Sequence, residues 1–221
     1  MATTRTADVY DRLRSRLLNG EVEPGSKLKL AELGTEFGVS LSVVREAVTR
    51  LAEQGLVQAS PQRGFCVAPL SVPDLLDLTR ARVLVETMAF RESMANGDLG
   101  WESRVLATHH RMSRTPVMTP DGRVNPEFAE AHRDFHQALL SGCGSGRLEA
   151  VALGLRDCSE LYIYWSRQIA RDTDRDVAGE HQALADLAIA RDSDAGSVAL
   201  AEHIERTTAA LVHYAESAVR R

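Results

Sequence analysis

The stretch EAHRDFHQALL, residues 130–140, sets His132 and His136 four apart in a run patterned like a helix. At that spacing two imidazoles stand one above the other on a single helical face. They can supply two nitrogen ligands to a metal ion, or simply share a core-facing stripe. Carboxylates lie close by in sequence: Glu130 and Asp134 in the same run, and Glu180 beside His181 in the later EHQAL. Such groups can hydrogen-bond and orient ligating imidazoles, or activate a water beside a metal, as in a metal-dependent hydrolase. The chain has no HExxH to support the hydrolytic arrangement. Two histidines at i, i+4 do not choose among these readings, so the elements that position them must.

The chain has 221 residues, 44% apolar and 26% charged, the composition of a globular protein with room for one large domain or two modest ones. No apolar run approaches the roughly 20 residues that cross a bilayer, so no membrane association is expected. The opening MATTRTADVYDRL lacks the apolar segment of a secretory signal. Three cysteines, Cys66, Cys143 and Cys158, form no CxxC pair, which fits a reducing cytoplasm. The net charge of -5 is unevenly spread: up to Leu70 there are 9 Lys+Arg against 8 Asp+Glu, and beyond it 17 against 23. A slightly basic first third on an acidic body points to two domains with different partners.

Residues 6–19 place Val9, Leu13, Leu17 and Leu18 on one helical face, with Gly20 as the stop. EVEPGSKL then reads as a Pro-Gly turn. LAELGTEFG is a short helix closed by Gly38, and Ser40 is placed to cap LSVVREAVTRLAEQ, which Gly55 ends. Two short apolar stretches around SPQRG read as a β-hairpin. Helix, three-residue turn, helix and hairpin predict a winged helix-turn-helix over residues 1–70. From 71 on the chain reads as helices, two before the Pro- and Gly-bearing loop TPVMTPDGRVNP and then segments at about 127–141, 146–171, 175–191 and 194–219, with no further β signal. The fold class expected is therefore mainly α: a winged helix-turn-helix, then an all-α helical bundle. In the first domain Ser40, Ser42, Val43 and Arg45 open the recognition helix, where base edges are met. Arg45 suits a bidentate contact to guanine and Arg50, further along, a phosphate. Arg63 and Gly64 at the wing tip suit the minor groove. The partner implied is double-stranded operator DNA.

The run LLNGEVEPGSKLKLAELGTEFGVSLSVVREAVTRLAEQGLVQASPQRGFCV resembles the DNA-binding domain of GntR-family transcriptional regulators over about residues 8–68. One position departs: that family commonly has Arg directly after the capping Ser, where this sequence has Leu41. The resemblance thus implies operator binding, with base preference shifted onto Arg45 and the wing.

The rest, about residues 72–215, resembles the FCD type of ligand-binding domain in the FadR-like branch of that family. The markers are Arg82 to Glu86 in RVLVE, FHQALL, and EHQAL with the later A…L..H. Such domains carry a divalent metal on an Asp-x(3)-His pair and two later histidines. The resemblance places His136, His181 and His203 on three of these positions and His132 on that of the Asp. Four neutral imidazoles suit a divalent transition metal, Zn2+ first and Ni2+ next, and disfavour the oxygen-preferring Mg2+ and Ca2+. The alternative is a polar cavity without metal. Arg82 is implied to face the cavity and pair with a small carboxylic-acid effector; a structural ion pair with Glu86 at i+4 is the other reading. The functional expectation is a homodimeric, cytoplasmic repressor released from a palindromic operator by a carboxylate. The hydrolase, and a regulator whose signal is the metal itself, stand as alternatives.

Overall fold

The computed structural model describes residues 4–18, 21–60, 64–69, 71–166 and 175–219. The chain divides into two compact units. One comprises Met1–Ser71 together with the single turn Asp157–Leu161, and the other Val72–Arg156 with Tyr162–Arg221.

The first unit runs α1 (Arg5–Leu18), β1 (Lys27–Leu28), α2 (Leu30–Phe37), α3 (Leu41–Glu53), β2 (Val57–Ser60) and β3 (Gly64–Val67). Its helices form because their apolar residues recur at helical spacing and bury one face each. Val9, Leu13 and Leu17 of α1 and Val44, Ala47, Val48 and Leu51 of α3 meet in one core, all fully buried. Gly38 ends α2 in the left-handed region at φ 66°, donating its N–H to the carbonyl of Thr35; only glycine holds that conformation without strain. Ser40 stands at the N-cap of α3 as expected, but its side chain makes no capping bond and instead meets the Ser42 hydroxyl at 2.9 Å.

The wing is larger than the hairpin read from the sequence. Three strands pair antiparallel in the order β1-β3-β2, with Lys27 opposite Cys66 and Val57 opposite Val67. β1 escaped the sequence reading because two residues carry no alternation. The Pro-Gly turn creates it, Gly25 donating to the Val67 carbonyl at 3.0 Å and Val67 to that of Ser26 at 2.9 Å.

The second unit is helical: α4 (Val72–Asn96), α5 (Leu99–Arg114), α6 (Pro126–Leu140), α7 (Gly146–Trp165), α8 (Val177–Ala190) and α9 (Ser193–Val219). The long helix expected over 146–171 has its last residues outside the described ones. A lone antiparallel bridge, Met118 to Val124, is the one β feature here among the described residues. Side-chain caps start four helices: Asp98 for α5, Asn125 for α6, Ser145 for α7 and Asp176 for α8. The core gathers Phe90, Met94, Trp101, Val105, Phe135, Leu139, Leu184, Leu200 and Ile204.

Trp101 is fully buried and donates its indole N–H to the Ala138 carbonyl at 2.9 Å. A Cβ built on Gly142 would lie 2.9 Å from that ring, and a close-packed interior has no slack to absorb it. Gly142→Ala is expected to cost about 1–3 kcal/mol, the usual range for overpacking, in urea unfolding followed by Trp fluorescence. An unchanged midpoint would show that the indole yields freely.

Candidate metal centre and DNA-reading surface

In the second unit, α6 buries a stripe that includes Phe128, Ala131, His132, Phe135, His136 and Leu139. The two histidines of the opening motif therefore occupy the core-facing face, and they meet two more there. His181 comes from the first turn and a half of α8, fixed by Asp176 accepting from the Gly179 N–H at 2.8 Å. His203 comes from α9. All four are buried, at 2–7% exposure, and each presents a ring nitrogen so that the four atoms lie within 4.8 Å of one another. The rings pack at centroid distances of 4.5 Å (His132–His136), 4.8 Å (His181–His203) and 5.1 Å (His136–His203).

These residues fit a transition metal. The Nε2 atoms of His136 and His181 are 3.3 Å apart, about the edge of a tetrahedron with the 2.0–2.1 Å bonds of zinc to imidazole. Ligation needs neutral rings. Burial, reinforced by the cationic Arg156, holds His136 well below its ordinary pKa, and burial likewise lowers His203. Glu180 accepts from His203 Nδ1 at 2.8 Å, fixing the tautomer that leaves Nε2 as the electron-pair donor. Burial would raise the Glu180 pKa, but hydrogen bonds from Arg175, His203 and Arg206 outweigh it and keep the carboxylate charged. Of the acids near the histidines in sequence, Glu180 takes the orienting role. Glu130 and Asp134 do not, because both pair with Arg111 on the outer face, at 3.0 and 2.8 Å.

Beside the cluster is a small cavity of about 60 Å³ whose wall includes Arg82, His132, Arg156, Arg175 and His203. Three guanidiniums and no carboxylate line it among the described residues. Arg82 does both things the sequence offered as alternatives. It reaches the cavity wall, and its Nε donates to Glu86 at 2.6 Å with side chains 7% and 1% exposed. Arg156, 3.5 Å from the other Glu86 oxygen, escaped the sequence reading. Its signal was a charge on a buried stripe, aligned with Ala152 one turn earlier and Ile163 two turns later. Of the aromatic residues in α7, the Tyr162 hydroxyl is engaged with Asp74 at 2.8 Å.

In the first unit, Ser40, Ser42 and Arg45 are exposed at the leading end of α3, whereas Val43 is half-buried against the core. Arg50 is exposed too, its guanidinium 4.3 Å from the centre of the Tyr10 ring. Gly64 opens β3 at φ 77°; Arg63 lies outside the described residues. No helix among the described residues is long and apolar enough to cross a membrane.

A three-helix unit with a wing, followed by a helical unit enclosing a polar cavity, defines a helix-turn-helix transcriptional regulator. Residues 5–67 match the family described as bacterial regulatory proteins, gntR family, and residues 77–206 match the FCD domain. The chain belongs to the GntR family, with an FCD domain behind its DNA-binding domain. It is 37% identical to the HTH-type transcriptional regulator BphR of Paraburkholderia xenovorans (strain LB400), over 89% of this chain and 80% of that protein. With the HTH-type transcriptional repressor GlaR of Escherichia coli (strain K12) it shares 29% identity over 91% and 93%. In fold it is similar to E. coli McbR/YncC, with a TM-score of 0.79 at 21% identity over 96% of this chain and 99% of that one. A GntR regulator from Rhodococcus sp. RHA1 gives 0.78 at 24% identity, with the same coverage.

Proposed function

We propose that this regulator is a cytoplasmic, homodimeric repressor that binds a palindromic operator and releases it when a small carboxylic acid enters the histidine- and arginine-lined cavity. The observation that carries the reading is the joint presence, within one helical unit, of four converging imidazoles and a wall bearing three guanidiniums. A guanidinium fork matches a carboxylate bidentately. With a transition metal held by His132, His136, His181 and His203, an anionic oxygen gains a second anchor beside Arg82 and Arg156. The small cavity volume favours a compact acid over a long-chain one. The operator reading calls for a dimer on general grounds, since one recognition helix spans few base pairs and a two-fold pair reads a palindrome. Arg45 would read guanine, while Arg50, held over Tyr10, would meet phosphate.

The test is fluorescence anisotropy on an operator selected from random duplex, titrated with small carboxylates with and without chelator. Release by an acid supports the proposal, and release by metal alone or by neither overturns it. Arg45→Ala is expected to lower operator affinity by about 1–3 kcal/mol and leave random duplex unaffected. Arg50→Ala should weaken both alike. Equal losses on both duplexes for Arg45→Ala would reduce that residue to a phosphate contact.

A further inference from the structure

The first residue of the recognition helix is apolar and 49% exposed: Leu41. Single exposed leucines are ordinary; what sets this one apart is its neighbours. The buried stripe of α3 (Val44, Ala47, Val48 and Leu51) includes the positions three and seven residues on from it, so Leu41 stands at the edge of that stripe with about half of its surface in solvent. Leu41 and Arg45, both exposed, stand at i, i+4 and so lie side by side. The polar side chains around them are engaged locally: Thr49 donates to the Arg45 carbonyl at 2.9 Å, Glu46 accepts from Thr6 at 3.2 Å, and the Ser42 hydroxyl meets that of Ser40. The leading surface of the helix thus offers one aliphatic contact beside one cation.

In the major groove each base pair shows hydrogen-bonding groups, and thymine alone among the four bases adds an apolar one, its C5-methyl. An isobutyl group placed against a G·C pair covers donors and acceptors without pairing them, which is unfavourable. Against the thymine methyl it removes apolar surface from water on both sides. We infer that Leu41 is a specificity-determining residue that selects a thymine in each half-site by contact with its methyl group, next to the guanine met by Arg45. Four residues of helix rise about 6 Å and base pairs stack about 3.4 Å apart, so the thymine lies within about two steps of that guanine. The inference rests on the operator-binding reading above.

The experiment uses the full chain and half-sites selected from random duplex. Each thymine near the guanine is replaced in turn by deoxyuridine, which lacks only the methyl, and affinity is measured for wild type and Leu41→Ala. One thymine should matter. Its replacement should weaken the wild type about fourfold per half-site, the ratio expected for burial of one methyl group. Leu41→Ala should bind the thymine operator weaker by a similar factor and lose nothing further on deoxyuridine. Its binding to random duplex should be unchanged, and its thermal midpoint should fall only slightly, because about half of the side chain is packed and the rest is in solvent. Three results overturn the assignment: a wild type indifferent to every methyl, a Leu41→Ala variant as methyl-sensitive as wild type, or selected half-sites with no thymine within about two steps of the guanine. A wild type that selects no sequence at all overturns the operator reading, and this assignment with it.

Discussion

Glu86→Ala is expected to destabilise the helical unit by about 3–5 kcal/mol, the cost of removing one partner from a buried ion pair. Glu86 is fully buried, and its two oxygens face two guanidiniums, Arg82 at 2.6 Å and Arg156 at 3.5 Å. Deleting the carboxylate leaves both charges in a site with side chains at most 7% exposed, where the few waters the cavity admits replace it poorly. Without Glu86 the uncompensated charges of Arg82 and Arg156, which the His136 ring already feels, would repel a bound cation, so the variant should also hold metal less well. Glu86→Gln keeps the shape and an acceptor but loses the charge, and should fall between. Urea denaturation checks this, and a loss under about 1 kcal/mol for Glu86→Ala would mean that the cavity is wetter than the burial suggests. Because Arg82 is at once a member of this pair and part of the cavity wall, Arg82→Ala mixes two effects. Ligand tests are better read on operator release by wild type at varied acid concentration.

The two halves of the sequence were unequally legible. In the winged unit, local signals sufficed: the apolar spacing of Val9, Leu13 and Leu17, Gly38 at a left-handed turn and Ser40 at a helix start each dictate a backbone state on their own. β1 was missed because Lys27 and Leu28 become a strand only by pairing with Cys66 and Phe65, a tertiary fact. The histidines were visible as residues, and the resemblance to FCD domains grouped them; periodicity alone placed His132 and His136 on one face and said nothing of His181 or His203. Arg156, buried, and Arg175, half-buried, went unread because such arginines are recognised by their partners, Glu86 and Glu180. Glu86 lies on α4, far in sequence from Arg156, and Glu180 lies five residues beyond Arg175, in the first turn of α8. Glu130 and Asp134 show the converse: proximity in sequence suggested a role that Arg111, from α5, takes away.

Removing metal from the loaded protein is expected to lower the melting temperature of the helical unit by about 10 °C. The four converging imidazoles come from α6, α8 and α9, so an ion bound among them would tie three helices that otherwise hold together by packing. An ion at a thousand times its dissociation constant stabilises by about 4 kcal/mol, and 1 kcal/mol moves a domain of this size by about 2–4 °C. His136→Ala should melt lower and show no difference between chelator and added Zn2+. His132→Asp, which puts a carboxylate where a fourth imidazole stands, should keep that difference. The pH dependence follows from the lowered pKa values of His136 and His203. Their folded pKa lies below the unfolded value near 6.5, so the unfolded chain binds more protons and stability rises with pH through that window. The contribution is complete above about pH 6.5 and is lost as pH falls below it, and ligation, which also needs neutral rings, adds to the slope. Calorimetry from pH 5 to 8, with Zn2+ and with chelator, should give two curves that converge in acid and separate above neutrality. Parallel curves, or a metal-loaded midpoint unmoved by acid, would show that the histidines stabilise this core as packed rings and not as ligands.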